Sequence, residues 1–274
     1  MTRILFIGDI VGKPGRELLR RGLDALVARH RIDLVIANGE NAAAGFGITP
    51  EIAEDLFARG VSVITGGNHS WDKKEILPYI AEHPRLLRPA NFPSGAPGHG
   101  TIVVTAANGV RVGVINVMGR VFMQALDDPF ATAMAAVETL AADASVLFVD
   151  MHAEATSEKV AMGWYLDGRV AAVVGTHTHV PTADARLLPR GTAYVTDVGM
   201  TGPHDSVIGV ERRPVIHRFL TGLPQRFETA TENPRLNAVI VTADEASGLA
   251  RGIERLDLSL DQIEAILAEP AARA

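Results

Sequence analysis

The stretch "RILFIGDIVGKPGRELLRRGLDALVARHRIDLVIANGEN" (residues 3–41) contains the pattern that decides the fold. It begins with an apolar run typical of a strand, passes through a glycine-containing turn, and continues with apolar residues at helical spacing before a second apolar run. A helix between two strands carries the chain back to the end of the sheet where the first strand began. The second strand therefore runs parallel to the first. The stretch therefore predicts a parallel sheet covered by helices.

The same pattern recurs along the chain. Further strands are predicted at "VSVITGGNH", "SVLFVDMH" and "VAAVVGTHTH", and further helices at "PEIAEDLFARG" and "DPFATAMAAVETLAADA". Two other segments, "TIVVTAANGVRVGVINV" and "LNAVIVTADEASGLARGIERL", predict β-hairpins, the first through its Asn108-Gly109 turn. The tail predicts a terminal helix that Pro270 stops. We expect an α/β sandwich of mixed sheets flanked by helices, in one domain over residues 1–274.

The composition is that of a folded protein without thiol chemistry. The chain has 274 residues, of which 47% are hydrophobic and 21% charged, and it has no cysteine. Disulfides, zinc-thiolate sites, iron–sulfur clusters and thiol nucleophiles are thereby excluded. The net charge of −6 disfavours strong binding of duplex nucleic acid. With neither a signal peptide nor a segment near the roughly 20 apolar residues of a membrane span, we expect a cytoplasmic protein with no membrane partner.

Side chains that can bind metals follow five of the predicted strands. They are Asp9, Glu40 with Asn41, Asn68 with His69, His152, and His177 with His179. Taken singly, the aspartate could cap a turn, the asparagines could form Asx-turns, and His152 could be a hydrogen-bonded histidine under a loop. Such structural causes would scatter polar residues over both ends of the strands. Because ligands collect at the carboxyl ends of parallel strands, the joint pattern favours one metal-binding crevice.

The motif "THTH" contributes two histidines to this crevice. His177 and His179 are two positions apart in what we expect to be an extended turn, so both rings would face the crevice while Thr178 faces back. Seven or eight nitrogen and oxygen donors are too many for one tetrahedral ion, and a carboxylate can bridge two. Histidines disfavour calcium and magnesium and favour Mn, Fe, Zn or Co. We predict two metal ions in each chain.

Such a centre predicts hydrolysis of a phosphate ester. Two ions generate a hydroxide near neutral pH and neutralise the phosphate oxygens, so that the hydroxide attacks in line with the leaving oxygen. His69 adjoins Asn68, and we predict that it protonates the leaving alkoxide or positions the phosphate, a further ligand or a structural residue being the alternatives. Arg120 and Phe122 in "NVMGRVFM" could contact a phosphate and a base, but we expect them to pack.

The motifs resemble those of the calcineurin-like metallophosphoesterases. That superfamily carries GD, GD or GE, GNH, H and HxH at successive sheet ends. The same order appears here in "IGDIVGKPGR", "NGENAAAGFGIT", "GGNHSWD", "DMHAEATSEK" and "VVGTHTHVPTAD". Val11 departs from the pattern, because it stands where the superfamily has a histidine, and "NGENAA" replaces an aspartate-centred motif. Together with "AYVTDVGMTGPHDSVIG" (193–209), these departures resemble the YmdB-like bacterial branch.

The resemblance implies a four-layer α/β sandwich, a di-iron or di-manganese site, and hydrolysis of 2′,3′-cyclic nucleotides or related small phosphodiesters. Zinc and cobalt remain alternatives. By position in the motifs, one ion would be held by Asp9, Glu40, Asn41 and His179, and the other by Glu40, Asn68, His152 and His177.

Two other functions remain open from the sequence. A phosphomonoesterase such as a nucleotidase could use the same two ions. A regulatory, RNA-associated protein with a weakened metal site is suggested by Val11 in place of the histidine, although the acidic pI argues against strong affinity for RNA. Asn41 would hold the first ion only loosely, because its amide oxygen is a poorer donor than imidazole. From the prevalence of symmetric assemblies we also expect a homo-oligomer, a dimer or a tetramer.

Overall fold

A computed structural model describes residues 1–268, in which helices separate single strands in the first part of the chain and groups of consecutive strands further on. The strands are β1 (Thr2–Ile7), β2 (Leu34–Asn38), β3 (Val63–Thr65), β4 (Thr101–Thr105), β5 (Arg111–Met118), β6 (Val146–His152), β7 (Ala172–Thr176), β8 (Arg186–Leu187), β9 (Ala193–Val195), β10 (Gly202–Pro203), β11 (Pro234–Ala243) and β12 (Ala250–Ser259). The helices are α1 (Gly12–His30), α2 (Pro50–Ala58), α3 (Ile76–Glu82), α4 (Pro129–Leu140), α5 (Thr156–Leu166), α6 (Arg212–Thr221) and α7 (Leu260–Ala268). The stop predicted at Pro270 lies outside the described residues.

The strands form two six-stranded mixed sheets. The first has the order β10-β11-β1-β2-β3, with β12 paired to β11, and its strands β1, β2 and β3 are parallel. The second has the order β4-β5-β6-β7-β9-β8, with β5, β6, β7 and β9 parallel. Both predicted hairpins are confirmed, because β4 pairs antiparallel with β5 and β11 pairs antiparallel with β12.

The sheets pack face to face through alternate side chains of their central strands. In β1, Ile4 and Phe6 belong to the core between the sheets, whereas Leu5 and Ile7 belong to the core under the helices. This alternation follows from the two-residue period of a strand. Phe6 stacks on Phe148 of β6 with ring centroids 5.5 Å apart, which joins the two sheets.

Helices cover both outer faces. Leu18 of α1, Leu56 of α2 and Ile263 of α7 pack in the outer core of the first sheet, and Val137 of α4 and Met162 of α5 pack in that of the second. The resulting order of helices, sheet, sheet and helices confirms the predicted four-layer α/β sandwich. Among the helices of residues 1–268, none combines the length and the apolar character that a membrane crossing requires.

Local signals fix where two of these helices begin. Thr49 caps α2 by accepting a hydrogen bond from a backbone N–H of the first turn, and Pro50 follows as the first helical residue. Asp128 caps α4 through the backbone N–H groups of Phe130 and Ala131. A polar cap followed by proline satisfies donors that an α-helix leaves unpaired at its N-terminus.

The loop after β5 departs from the prediction. Arg120 pairs with Asp128 at 2.9 Å, but the Phe122 side chain is 91% exposed and its φ is 62°. The expectation that both residues pack is therefore wrong for Phe122. The loop is fixed instead by Glu158, whose carboxylate accepts hydrogen bonds from the backbone N–H groups of Arg120 and Val121.

The segment after β9 lies against the end of β1. A Cβ atom on Gly8 would lie 1.9 Å from the carbonyl oxygen of Gly199, so only glycine permits this approach. Thr201 then donates its N–H to the Asp9 carbonyl, and Val11 donates its N–H to the Thr201 carbonyl. These contacts bring the segment that follows β9 to the carboxyl end of the first sheet.

Candidate metal centre

The carboxyl ends of the parallel strands converge at one edge of the sandwich. Asp9 follows β1 by two residues, Glu40 follows β2 by two residues, and His152 is the last residue of β6. All three side chains are buried, and Oε1 of Glu40 lies 3.0 Å from Nε2 of His152. The ends of strands from both sheets therefore meet, as the strand-end pattern predicted.

Four of the predicted ligands form one compact group. The ligand atoms of Glu40, His152 and His177 all lie within 4.8 Å of one another. Nδ1 of His177 is 3.1 Å from Nε2 of His152, and Oδ1 of Asn68 is 2.9 Å from the same nitrogen. Imidazole nitrogens and side-chain oxygens that face one point make a donor set suited to a transition-metal ion.

The other predicted ligands form a looser group beside the first. Nε2 of His179 lies 3.9 Å from Oδ1 of Asp9 and 3.2 Å from Nδ2 of Asn41. Nδ2 of Asn41 also donates to Oε1 of Glu40 at 3.3 Å, so Glu40 lies between the two groups. In this orientation Asn41 presents its amide nitrogen, and ligation through its oxygen requires the amide to flip. We call the seven predicted ligands together the metal cluster.

Val11 occupies the position of the histidine that the superfamily usually has. Its side chain is buried, and a Cβ atom on Gly209 would lie 2.8 Å from its Cγ1 atom. The valine therefore forms an apolar contact with the segment after β9, and the looser group lacks the imidazole that this position would supply.

Each histidine of the metal cluster has one ring nitrogen held by an acceptor. The pairs are His152 Nδ1 with Thr176 Oγ1 at 2.9 Å, His177 Nε2 with Glu154 Oε2 at 3.1 Å, and His179 Nδ1 with the Ile208 carbonyl at 2.8 Å. A nitrogen that donates its proton to such an acceptor leaves the other nitrogen of the ring free to bind a metal. In all three rings the free nitrogen is the one that lies in the cluster.

Thr176 connects His152 to a buried carboxyl group. Its hydroxyl donates to Oδ1 of Asp150 at 2.7 Å and is thereby left to accept from His152. Thr65 donates to the other oxygen of Asp150 at 2.5 Å. Burial raises the pKa of Asp150 to about 6, although both hydroxyls and the nearby His152 favour its ionised form. The hydrogen bonds that link Asp150 to His152 through the Thr176 hydroxyl fix the orientation of the His152 ring.

The backbone of the "THTH" motif differs from the prediction. His177 has a φ of 98° and His179 a φ of 67°, so the expectation of an extended turn is wrong. The cause is Thr178, whose backbone N–H and hydroxyl donate to Oδ2 of Asp197 at 3.1 and 2.7 Å. The same oxygen pairs with the buried Lys159 at 2.6 Å. These contacts stabilise a backbone that costs on the order of 1–3 kcal/mol per residue. Both rings nevertheless face the crevice and Thr178 faces back.

Two features of the packing fit a cation in the metal cluster. Oδ1 of Asp9 is buried and has no hydrogen-bond partner within the described part of the chain. Buried carboxylate oxygens are normally paired, and a metal ion would satisfy this one. A Cβ atom on Gly67 would lie 2.2 Å from Nε2 of His152 and 2.4 Å from Oε2 of Glu40. Glycine at this position keeps open the space where the donor atoms meet.

The pKa shifts in the metal cluster also fit a bound cation. Burial raises the pKa of Asp9, and His179 and His152 only partly offset it. For Glu40, burial is outweighed by contact with His152, which lowers the pKa of this carboxyl, and Glu40 in turn raises the pKa of His152. Burial and the charge of His152 lower the pKa of His177 to about 3. Two buried carboxyl groups thus stabilise a positive charge placed among them.

His69 lies beside the metal cluster. Its backbone N–H donates to Oε2 of Glu40 at 3.0 Å, and its Nδ1 atom lies 2.8 Å from Oδ2 of Asp72. The Phe46 ring packs against the imidazole with centroids 5.1 Å apart. His69 also lines, with Glu40 and His177, an open pocket of about 730 Å³. The imidazole is therefore accessible to a ligand that contacts the cluster.

Sequence reasoning missed the residues that hold the ligands in place. Glu154 could have been found from its position two residues after His152. Thr176 and Asp197 gave no such signal, because their contacts depend on how β7 and the segment after β9 lie together. The part of the pocket lined by residues 207–229 was also missed, because residues 210–229, beyond the motif that ends at Gly209, have no recognisable period or motif.

Proteins of similar sequence and fold are known. The family described as YmdB-like protein matches residues 5–256. A 2′,3′-cyclic-nucleotide 2′-phosphodiesterase of Bacillus subtilis (strain 168) is 50% identical over 261 residues, which cover 95% of this chain and 98% of the relative. A hypothetical protein from Thermus thermophilus has a similar crystal structure, with 44% identity, a TM-score of 0.87 and coverage of 94% and 99%. A novel phosphatase from Mycoplasma pneumoniae is 34% identical, with a TM-score of 0.88 and coverage of 94% and 93%.

Proposed function

The chain belongs to the YmdB-like protein family, as its motifs predicted, and on that premise we propose that it is a metal-dependent phosphodiesterase acting on 2′,3′-cyclic nucleotides or related small phosphodiesters. The observation that carries the proposal is the convergence of Glu40, His152 and His177, whose ligand atoms lie within 4.8 Å of one another. The activity named for the Bacillus subtilis relative supplies the substrate class. The adjoining pocket of about 730 Å³ falls in the range of about 300–1,000 Å³ that suits small ligands.

Two ions, iron or manganese with zinc or cobalt as alternatives, fit the donor set. Glu40 lies between the two groups of predicted ligands and would contribute to both sites. Asn68, His152 and His177 would complete one site, and Asp9, Asn41 and His179 the other. When bound, such ions activate water and neutralise the charge of a phosphate.

The remaining chemistry falls to residues of the chain itself. We assign to His69 the transfer of a proton to the leaving oxygen, because it lines the pocket and is not needed as a ligand. Asp72 would orient the ring by accepting from its Nδ1 atom, which leaves Nε2 for proton transfer. The leaving group of a 2′,3′-cyclic phosphate is an alkoxide, and an alkoxide gains strongly from protonation as it departs.

A phosphomonoesterase is the second candidate. The similar Mycoplasma pneumoniae structure is described as a phosphatase, and a pair of ions can serve either a monoester or a diester. The two activities differ in whether one or two ester groups fit around the phosphate.

A substrate panel on the metal-loaded protein tests the proposal. We expect turnover of 2′,3′-cAMP and bis-p-nitrophenyl phosphate to exceed that of p-nitrophenyl phosphate, and to disappear when a chelator removes the metal. The Asp9→Asn variant should lose metal and activity together. Full activity in both Asp9→Asn and His69→Ala would overturn the assigned roles, and faster turnover of the monoester would favour the second candidate.

A further inference from the structure

The pocket beside the metal cluster extends well beyond the space where a phosphate would bind. Its lining includes Glu40 and His177 on one side and residues of the 207–229 segment on another. A phosphate that contacts the cluster occupies only the first part. The second part therefore remains for the rest of the substrate.

Aromatic and cationic side chains line this second part. Phe219 and Arg218 belong to α6, Phe227 follows it, and all three line the pocket. The Phe219 side chain is 84% exposed, and the Arg218 guanidinium lies over the Phe227 ring at 5.4 Å from its centroid. We call Arg218, Phe219 and Phe227 the aromatic wall. An exposed ring at a pocket gains free energy when a flat apolar surface covers it.

We propose that the aromatic wall binds the nucleobase of the substrate, with the base stacked on the Phe219 ring. This inference rests on the proposed function, because it requires a substrate that carries a base. Nucleobases stack on phenylalanine rings and on arginine guanidinium groups. Since every base has such a face, the wall would distinguish substrates with a base from substrates without one, with little preference among bases.

The arrangement of α6 favours a base over a second protein molecule as the occupant. Ile216 and Leu220 are also exposed on α6, but they do not line the pocket, whereas Arg218 and Phe219 do. The Phe219 ring thus belongs to the same cavity as the metal cluster. A ligand whose phosphate contacts His177 can therefore extend into contact with Phe219 within one pocket.

The test compares a substrate with and without a base. We expect the wild-type protein to prefer 2′,3′-cAMP over 1-O-methylribose 2′,3′-cyclic phosphate, and Phe219→Ala to reduce this preference in kcat/KM about 10-fold through a higher KM. Phe219→Trp should keep the preference, and adenosine 3′-monophosphate should quench its added indole emission. Phe122→Ala removes an equally exposed ring outside the pocket and should keep the preference, as should Leu220→Ala.

The outcomes separate the subsite from the activity. A Phe219→Ala variant that keeps the wild-type preference for a substrate with a base would overturn the subsite. It would equally be overturned if Phe219→Ala changed the oligomeric mass of the protein and nothing else. If the wild-type protein hydrolyses no cyclic nucleotide, the proposed function fails, and calorimetry with adenosine 3′-monophosphate and ribose 5-phosphate decides the subsite. Tighter binding of the nucleotide that Phe219→Ala abolishes would then support the aromatic wall, and equal binding of both ligands would refute it.

Discussion

The metal cluster and the aromatic wall face one pocket but are built in different ways. Asp9, Glu40 and His152 lie at the ends of buried strands and are themselves buried. The wall lies on α6 and the loop after it, and the only buried residue of α6 is Val215. Rigid strand ends can hold donor atoms to the tolerance that metal binding requires, whereas an exposed helix can adjust to the outline of a ligand. The two proposed roles, chemistry at the metal cluster and recognition at the aromatic wall, therefore fall to regions that are built differently.

Removing the central carboxylate should have the largest effect. Glu40→Gln keeps the size of the side chain but removes the charge that both groups of ligands share. We expect metal content to fall and activity to drop about 1,000-fold or more, because bound metal contributes several kcal/mol to such reactions. Elemental analysis and turnover of 2′,3′-cAMP measure both effects.

A matched control for Glu40→Gln lies at the other end of β1. Glu245 pairs with the N-terminal amino group there. Glu245→Gln should retain both metal and activity. A Glu40→Gln variant that behaves like this control would contradict the assignment of Glu40 as the shared ligand.

Loss of His69, the proposed proton donor, should have the next largest effect. His69→Ala should reduce turnover of 2′,3′-cAMP about 100-fold and leave metal content unchanged. The loss on bis-p-nitrophenyl phosphate should be smaller, because p-nitrophenolate leaves without protonation. Equal losses on the two substrates would show that His69 does not act on the leaving oxygen.

Substitution of Thr176, which is hydrogen-bonded to Nδ1 of His152, should have a smaller effect, and we expect it on metal affinity. Thr176→Val has nearly the same shape but removes the hydroxyl between His152 and Asp150. We expect a 10- to 100-fold loss of metal affinity, roughly the effect of removing a partner that orients a ligand. Competition with a chelator measures this affinity. Thr176→Ser should restore it, and wild-type affinity in Thr176→Val would contradict the proposed orientation by the hydroxyl.

The smallest effect is expected on the outer face of α6. Ile216 is 51% exposed, and Ile216→Ser should change the free energy of unfolding by no more than about 0.5 kcal/mol. The same change at Ile36, which is buried between the sheets, should cost about 2–5 kcal/mol. Urea denaturation of the two variants compares them. Similar losses in both would show that α6 is packed against something that its exposure does not reveal.

The same contrast explains how much of the molecule could be predicted from the sequence. The strands before Asp9, Glu40 and His152 have clear apolar runs, and the carboxyl ends of parallel strands meet by geometry, so the convergence of these residues could be predicted. The left-handed backbone at His177 could not, because it depends on Asp197, which reaches Thr178 only in the folded chain. The aromatic wall was equally hidden, because its residues come from a segment whose course is set by tertiary contacts.

The most direct test of the account is to locate the metal. Crystals grown with manganese and measured near its absorption edge should give an anomalous peak within coordination distance of ligand atoms of Glu40, His152 and His177. A second peak should lie near Asp9 and His179, with Glu40 between the two. Manganese bound elsewhere, with no peak among Glu40, His152 and His177, would contradict the claim that the strand ends of the two sheets build one metal centre.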